Sequence, residues 1–523
     1  MDESSKFLID MHSPLTNAHT LQPTPQTMFS STTPRFLLDS NSQVDWESFY
    51  SCPCHKKQSS LNSSAYVISD HILAEQNLSQ AILGEAQVRE VELRVNITLQ
   101  TSLPIVERSF ILSGNCSLGT HCVIDAQGQT RVLVVSSNAA VMLRRVQLAN
   151  GYAGPLVDLA DETYAGMAGC GAGVLVGALG NLTMIDSVIS GAVADNKGAG
   201  IAFHSTASIY LQHSVLTNNS AAQQGGGISV YQASSDCGQD CNSRPVSNVI
   251  LEDVLFAKNM AEGDGGGGVY LESLSSAVLL QGLITNCSFV HNTGRGGAGF
   301  LWRFLPVDCN FAMRTTLFMG NRAGWRENQA ISTGVGGGVM LVGYAEDSAT
   351  VAFRECLLTG NSAYVGGNLF ASSIATVVED SVVSDGYAER DGGCVVFTCM
   401  ADKCLQVGGY VTKFSMRRCL VTGCAAGSLG GGVFGTINSH LELADSNITS
   451  CVAYKNGGGM YIKDDIRVIC NGVVVSNNSA TFLAANTTAG VSGYGNGGGM
   501  AMTGSACLMM DSAVDNNRGS MGS

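Results

Sequence analysis

A short glycine phrase ending in an apolar residue returns eleven times between residues 171 and 500. It reads Gly-Ala-Gly-Val174, Gly-Ala-Gly-Ile201, Gly-Gly-Gly-Ile228, Gly-Gly-Gly-Val269, Gly-Ala-Gly-Phe300, Gly-Gly-Gly-Val339, Gly-Gly-Asn-Leu369, Gly-Gly-Cys-Val395, Gly-Gly-Gly-Val433, Gly-Gly-Gly-Met460 and Gly-Gly-Gly-Met500. Successive closing residues lie either 26 to 31 or 38 to 41 positions apart. A period of this length belongs to a solenoid in which one basic coil repeats and some coils carry a loop of about ten extra residues.

A second mark precedes most glycine phrases: an apolar residue, two variable residues, then Asn. It occurs at Leu216 to Asn219, Phe256 to Asn259, Phe289 to Asn292, Phe318 to Asn321, Leu358 to Asn361, Val475 to Asn478 and Val514 to Asn517. In the copies that begin at Ile189, Val383, Val421 and Ile448, the fourth place holds Ala192, Gly386, Cys424 and Cys451. Recurrent Asn at one register is a structural device, because stacked amides satisfy one another down a column. Asn219, Asn259, Asn292, Asn321, Asn361, Asn478 and Asn517 are therefore expected to form such a ladder.

The two marks predict an all-β chain, a single-stranded right-handed parallel β-helix. Each coil offers strands too short to bury a face alone, so burial has to come from stacking strands about 4.8 Å apart. Glycine is required where the chain turns with positive φ or where backbones approach closely. Half-buried strands with period-2 alternation begin earlier, at 91–97 and at 131–135. The apolar positions Ile68, Ile72, Leu73, Ala81, Ile82 and Leu83 fall near helical spacing and predict a short helix that caps the solenoid. Residues 1–60 are rich in Ser, Thr, Pro, Asn and Gln without apolar periodicity and read as a flexible leader. The β-helix is assigned to residues 61–523, with repeats clearest over 170–520; no cap is visible after the Val514 mark.

Composition narrows the function. Gly numbers 63 against 9 Pro, and charged residues are only 13%, which suits close-packed strands. The net charge is −14 with no Lys/Arg cluster, so nucleic acid and anionic lipid are not expected partners. No apolar run approaches 18 residues, and Met1 to Thr20 lacks the apolar core of a signal peptide. Ten Asn-x-Ser/Thr sequons, at Asn62, Asn77, Asn96, Asn115, Asn181, Asn218, Asn286, Asn447, Asn477 and Asn486, point toward export.

Eighteen Cys point the same way, toward an oxidising compartment. Cys424 and Cys451 hold the Asn place in successive coils, about one strand spacing apart and within disulfide reach, which predicts a vertical Cys424–Cys451 bridge, or at least a stacked pair. Cys116 with Cys122 and Cys237 with Cys241 are candidate loop staples. Cys394, Cys399 and Cys404 have no neighbouring His and read as disulfide partners rather than as a metal site.

The glycine mark alternating with Phe-x-x-Asn, complete at Phe256, Phe289 and Phe318, resembles the repeats of the chlamydial polymorphic outer-membrane proteins and related secreted β-helix proteins. The phrases at 113–116, 123–126, 131–135 and 148–152 resemble the opening of such domains, and the likeness runs from about residue 68 to 520. It implies the pectin-lyase-like fold and a surface or secreted protein, often an adhesin.

The same architecture hosts polysaccharide lyases and hydrolases, which need an acidic calcium site with a basic residue, or converging carboxylates. Beyond residue 170 the adjacent acids Asp464-Asp465 stand beside Lys463 and Arg467; the pair reads as a solvated turn with local ion pairs. His204, His213, His291 and His440 stand singly and are assigned to surface or loop positions. No catalytic, cofactor or metal residue is assigned, and calcium enters only with the enzyme alternative. Trp302, Arg303, Phe304, Trp325 and Arg326 are expected to lie in insertions, either as a binding patch or as cover for the flank. The expectation is a non-enzymatic extracellular or cell-surface scaffold that binds a polysaccharide or a surface protein without inserting into a membrane. The alternative is a polysaccharide lyase or glycoside hydrolase.

Overall fold

The computed structural model describes residues 65–84, 88–116, 121–154, 167–231, 246–272, 279–303, 310–324, 334–343, 350–399, 412–437, 439–464, 466–481 and 496–519. They belong to one unit, Ser63–Ser523. The assignment of 1–60 as a leader lies outside the described residues.

One coil shows the plan. From the glycine mark the chain enters Ile201–His204, turns into Ser208–Gln212, then Val215–Thr217, then Ser220–Ala221, and reaches the next mark at Ile228. Each strand pairs in parallel with its equivalent one coil before and after. This builds four sheets of 12, 15, 14 and 12 strands among the described residues, named here first to fourth in order along a coil. The fold is the right-handed parallel β-helix that the repeats predict, the hand favoured when parallel strands are joined by crossovers.

Register turns sequence period into stacked columns. Phe256, Phe289 and Phe318 are consecutive partners in the third sheet, and their rings stack at 4.8 and 4.7 Å, nearly coplanar. Inward residues of the first three sheets form one continuous core. The corners are made by residues with positive φ. Asp186, His213, Asp253 and Asn286 turn the second sheet into the third, and Gly457 (φ 65°) opens a glycine mark.

The capping helix spans Ala74–Leu83. Its buried residues are Ala74, Leu78, Ala81 and Ile82, whereas Ile72, Leu73 and Leu83 are exposed and Ile68 belongs to the strand Tyr66–Ile68. Ala81 and Ile82 thus face inward as expected, whereas the first turns bury Ala74 and Leu78 in place of Ile72 and Leu73. Glu75 fixes the cap: its carboxylate accepts from the amides of Gln100 and Thr101 at 2.9 to 3.1 Å. No helix among the described residues is long and apolar enough to cross a membrane.

The Asn column lies inside, at the corner between the third and fourth sheets. Asn219, Asn259, Asn292, Asn321 and Asn361 are fully buried. Each Nδ2 donates to the Oδ1 of the next Asn at 2.9 to 3.1 Å along the run from Asn219 to Asn361. The other Nδ2 hydrogen goes to a main-chain carbonyl of the coil before, as from Asn259 to Leu216 O at 2.9 Å. Oδ1 also accepts the main-chain amide of the preceding Asn, as at 2.9 Å from Asn259 N to Asn292. Both donors and both acceptor sites of the amide are thus used. Asn478 and Asn517 repeat the contact at 3.0 Å.

The third residue of each glycine mark packs against this column. A Cβ on Gly459 would meet Gly499 O at 2.7 Å and Asn478 Nδ2 at 2.8 Å. Only Asn368 and Cys394 replace glycine at that place in the eleven marks. Both occur in coils whose ladder place lacks Asn. Asn368 reaches across to the place left by Gly386, where its Nδ2 donates to Ser384 O (2.9 Å) and to Cys394 Sγ (3.1 Å), and its Oδ1 accepts from Asn361 (2.7 Å).

Cys394 forms a disulfide with Cys424, with Cα atoms 5.5 Å apart, and Cys451 is a free buried thiol. This corrects the expected Cys424–Cys451 bridge. Residues at one register in successive coils point the same way, whereas the third glycine-mark residue faces the ladder residue of its own coil. The bridge therefore closes within a coil. Cys116 pairs with Cys122, and Cys399 is also disulfide-bonded. Cys237, Cys241 and Cys404 lie outside the described residues.

Candidate site on the first sheet

The extra residues of the long coils do not fall at random. Residues 232–245, 273–278, 304–309, 344–349 and 400–411 join first-sheet strands to second-sheet strands. Residues 155–166, 325–333 and 482–495 join fourth-sheet strands to the first sheet. The longer connections therefore leave from the two edges of one sheet, which singles out its outer face.

Two outward rows cross that face. One runs through Tyr270, Leu301, Met340, Phe370, Val396, Phe434 and Tyr461, partners in unbroken register. It is apolar and packs on itself: Phe370, Val396 and Phe434 are buried with Met340, Val335, Val365, Leu429 and Tyr461 around them. The rings of Phe434 and Tyr461 lie parallel at 6.0 Å. The second row pairs Glu272 to Arg303 and runs on through Lys463 to Thr503.

Around Tyr270 and Glu272, polar groups converge. Lys197 Nζ stands 3.9 Å from Glu272 Oε2 and 5.9 Å from the Tyr270 ring centre. The Lys197 and Glu272 side chains are 19% and 12% exposed, so both ions are largely withdrawn from water yet reachable from outside. Tyr270 is fully buried. Its burial, with the Glu272 carboxylate beside it, drives the phenol well above its ordinary range, against the smaller pull of Arg303. Two cations, one carboxylate and a neutral phenol thus share a half-buried recess on a flat face.

Trp302 is not part of a surface patch. The strand Phe300–Arg303 runs on past the glycine mark, and alternation turns Trp302 inward, fully buried, its ring 4.8 Å from Phe311. Arg303, one residue on, faces outward into the recess. Phe304, Trp325 and Arg326 lie outside the described residues. His204 is buried on a first-sheet strand, with Nδ1 2.9 Å from Thr206 Oγ1, which corrects its assignment to a loop or surface. His440 also lies on a strand, and His213 stands between Asp186 and Asp253 on the second–third corner. Asp464 sits in a positive-φ turn, accepts from Thr436 Oγ1 at 3.1 Å and pairs with Lys463 at 3.4 Å. Asp465 lies outside the description, and Arg467 is exposed on the second sheet. No group of three metal-ligating side chains occurs among the described residues.

Lys197, Glu272 and Arg303 escape a motif search because they come from different coils. The legible signal is Glu272, a charge closing the otherwise apolar phrase Val269-Tyr-Leu-Glu272.

No family model and no curated protein matches the chain. Solved structures that it resembles include PfbA, a surface adhesin of Streptococcus pneumoniae, at 9% identity and TM-score 0.32, covering 86% of this chain and 92% of that one. The A-module of the mannuronan C-5 epimerase AlgE6 of Azotobacter vinelandii aligns at 14% identity and TM-score 0.31, covering 86% and 97%. The catalytic domain of a GH87 α-1,3-glucanase in complex with nigerose aligns at 10% and 0.36, covering 87% and 70%. These neighbours are an adhesin and two enzymes on parallel β-helices, and likeness at this level carries no choice between them.

Proposed function

We propose that this protein is a non-enzymatic β-helix scaffold, secreted or held at a cell surface, that binds a glycan chain on the outer face of its first sheet as an adhesin does. The carrying observation is the recess of Lys197, Tyr270, Glu272 and Arg303 on the sheet from whose edges the long connections leave. Glycan hydroxyls both donate and accept, and a mixed set of cations and a carboxylate meets both needs. Disulfides in the described chain fit an oxidising compartment. The repeat resemblance to secreted β-helix proteins belongs to the same reading.

Two features weigh for binding over cleavage. A phenol that is to act as a base needs its pKa lowered toward neutrality, and that of Tyr270 is raised. Glu272 is met by cations, whereas a hydrolase sets a second carboxylate roughly 5 to 10 Å away.

The test is retention and chain-end counting with a panel of uronate-rich and neutral polysaccharides, with and without calcium. Retention on one polymer without new chain ends is the expected result. New chain ends above the blank would overturn it in favour of a polysaccharide-cleaving enzyme. Retention on a surface protein and on no polymer would replace the glycan by a protein ligand.

A further inference from the structure

Among the described residues the sequons avoid one face; Asn62 and Asn486 lie outside them. Eight of the ten have described Asn residues: one lies in the capping helix and seven on or beside the second and third sheets. Asn181 opens a second-sheet strand and Asn447 a third-sheet strand. Asn286 turns the second–third corner with φ 52°, and Asn218 and Asn477 turn the third–fourth corner with φ 55°. None of the eight is on a first-sheet strand.

Five of them are both exposed and free at the side-chain amide, whereas Asn77 is half-buried in the helix. Asn181, Asn218, Asn286, Asn447 and Asn477 are exposed, and their side chains make no hydrogen bond among the described residues. Asn96 is committed: its Oδ1 accepts the Val123 amide at 2.9 Å. Asn115 donates to Glu92 at 3.0 Å and adjoins the Cys116–Cys122 disulfide. Sequons Asn218-Asn219-Ser220 and Asn477-Asn478-Ser479 place an outward Asn directly before a buried ladder Asn, so adjacent residues of one type have opposite roles.

We infer that Asn181, Asn218, Asn286, Asn447 and Asn477 are N-glycosylation sites, and that the resulting coat covers the second and third sheets while leaving the first sheet bare. Glycan transfer acts on the unfolded chain, so the folded structure has only to tolerate the product. A bulky hydrophilic chain fits at an exposed corner and not inside a packed row. The bare face is the one carrying the recess, and an unobstructed sheet is what an extended ligand needs. The inference rests on the proposal above for secretion, and its test does not depend on ligand binding.

The full chain is secreted behind a heterologous leader from a eukaryotic host that transfers N-glycans. The glycans are then removed in heavy-oxygen water by an amidase that converts each occupied Asn to Asp. Peptide mass mapping is expected to show the label at all five residues, with Asn→Gln at each removing one glycan's mass. Label at none or one of the five, while a co-expressed reporter glycoprotein is fully labelled, would overturn the inference. Polymer retention by unglycosylated protein reads the binding proposal separately.

Discussion

Asn368 occupies the place that Gly386 leaves: a Cβ on Gly386 would lie 2.6 Å from Asn368 Nδ2 and 3.0 Å from Cys394 Sγ. The two residues stand at different corners of one coil, and together they supply the one amide that the ladder needs there. Gly386→Ala is therefore expected to destabilise the protein by about 1–3 kcal/mol through overpacking. Asn368→Ala strands the Asn361 amide without its acceptor, at about 1–3 kcal/mol. Denaturant midpoints measure both. An unchanged midpoint in Gly386→Ala would mean that the ladder does not pass through Asn368.

The Cys394–Cys424 bridge closes a loop with a sequence separation of 30. Its removal by Cys424→Ser should cost about 3–4 kcal/mol. Non-reducing peptide maps should recover Cys394–Cys424 and Cys116–Cys122. A Cys424–Cys451 peptide would contradict the intracoil pairing.

Burial pushes the thiols of Cys287, Cys356, Cys419 and Cys451 up to about 12. At pH 8 these four should resist iodoacetamide in the native protein and react only after unfolding. Exposed Cys507 should react in the native protein, more slowly than a free thiol because partial burial raises its pKa. Native labelling of any of the four, followed by mass spectrometry, would show that the coil containing it opens.

Asp380 accepts from Arg418 at 2.6 and 2.9 Å, and this pairing holds its carboxyl below the ordinary value. A depressed carboxylate contributes stability above its unfolded pKa and loses that contribution as pH falls through its folded one. The partly exposed pair is worth under about 1 kcal/mol. Buried Asp391 has the opposite sign: desolvation raises its pKa, so it costs stability while ionised and the cost fades on acidification. Asp380→Asn should therefore flatten the acid limb of the stability curve below pH ~4. Asp391→Asn should stabilise at pH 7 by a margin that shrinks toward pH 3. Urea unfolding across that range checks both signs.

In unglycosylated protein, Lys197→Ala and Glu272→Gln should each weaken retention on the order of tenfold, through loss of a charge-assisted contact. Equal retention by all variants would move the binding face elsewhere.

The solenoid was legible because stacking demands repetition. Gly459 and Asn478 recur in phase since each fills space that the other defines. Trp302 misled because the length of a first-sheet strand is not marked in the sequence; two further residues of strand turned an apparent loop aromatic into core. The Cys394–Cys424 pairing had a signal, the two non-glycine residues in the third place of the mark, but it has meaning only once that place is known to face the ladder. The recess was the least legible, since Lys197, Glu272 and Arg303 meet through coil-to-coil register and not through any local spacing.

A bridge that closes within one coil fastens no coil to its neighbour. Drawn out by one end, the chain would unspool turn by turn like thread from a bobbin. At Cys394–Cys424 it would come up short, because the stitched loop withholds about 100 Å of contour, at ~3.3–3.6 Å per residue over its 30-residue separation. Reducing agent would restore the missing length without loosening a single rung between coils.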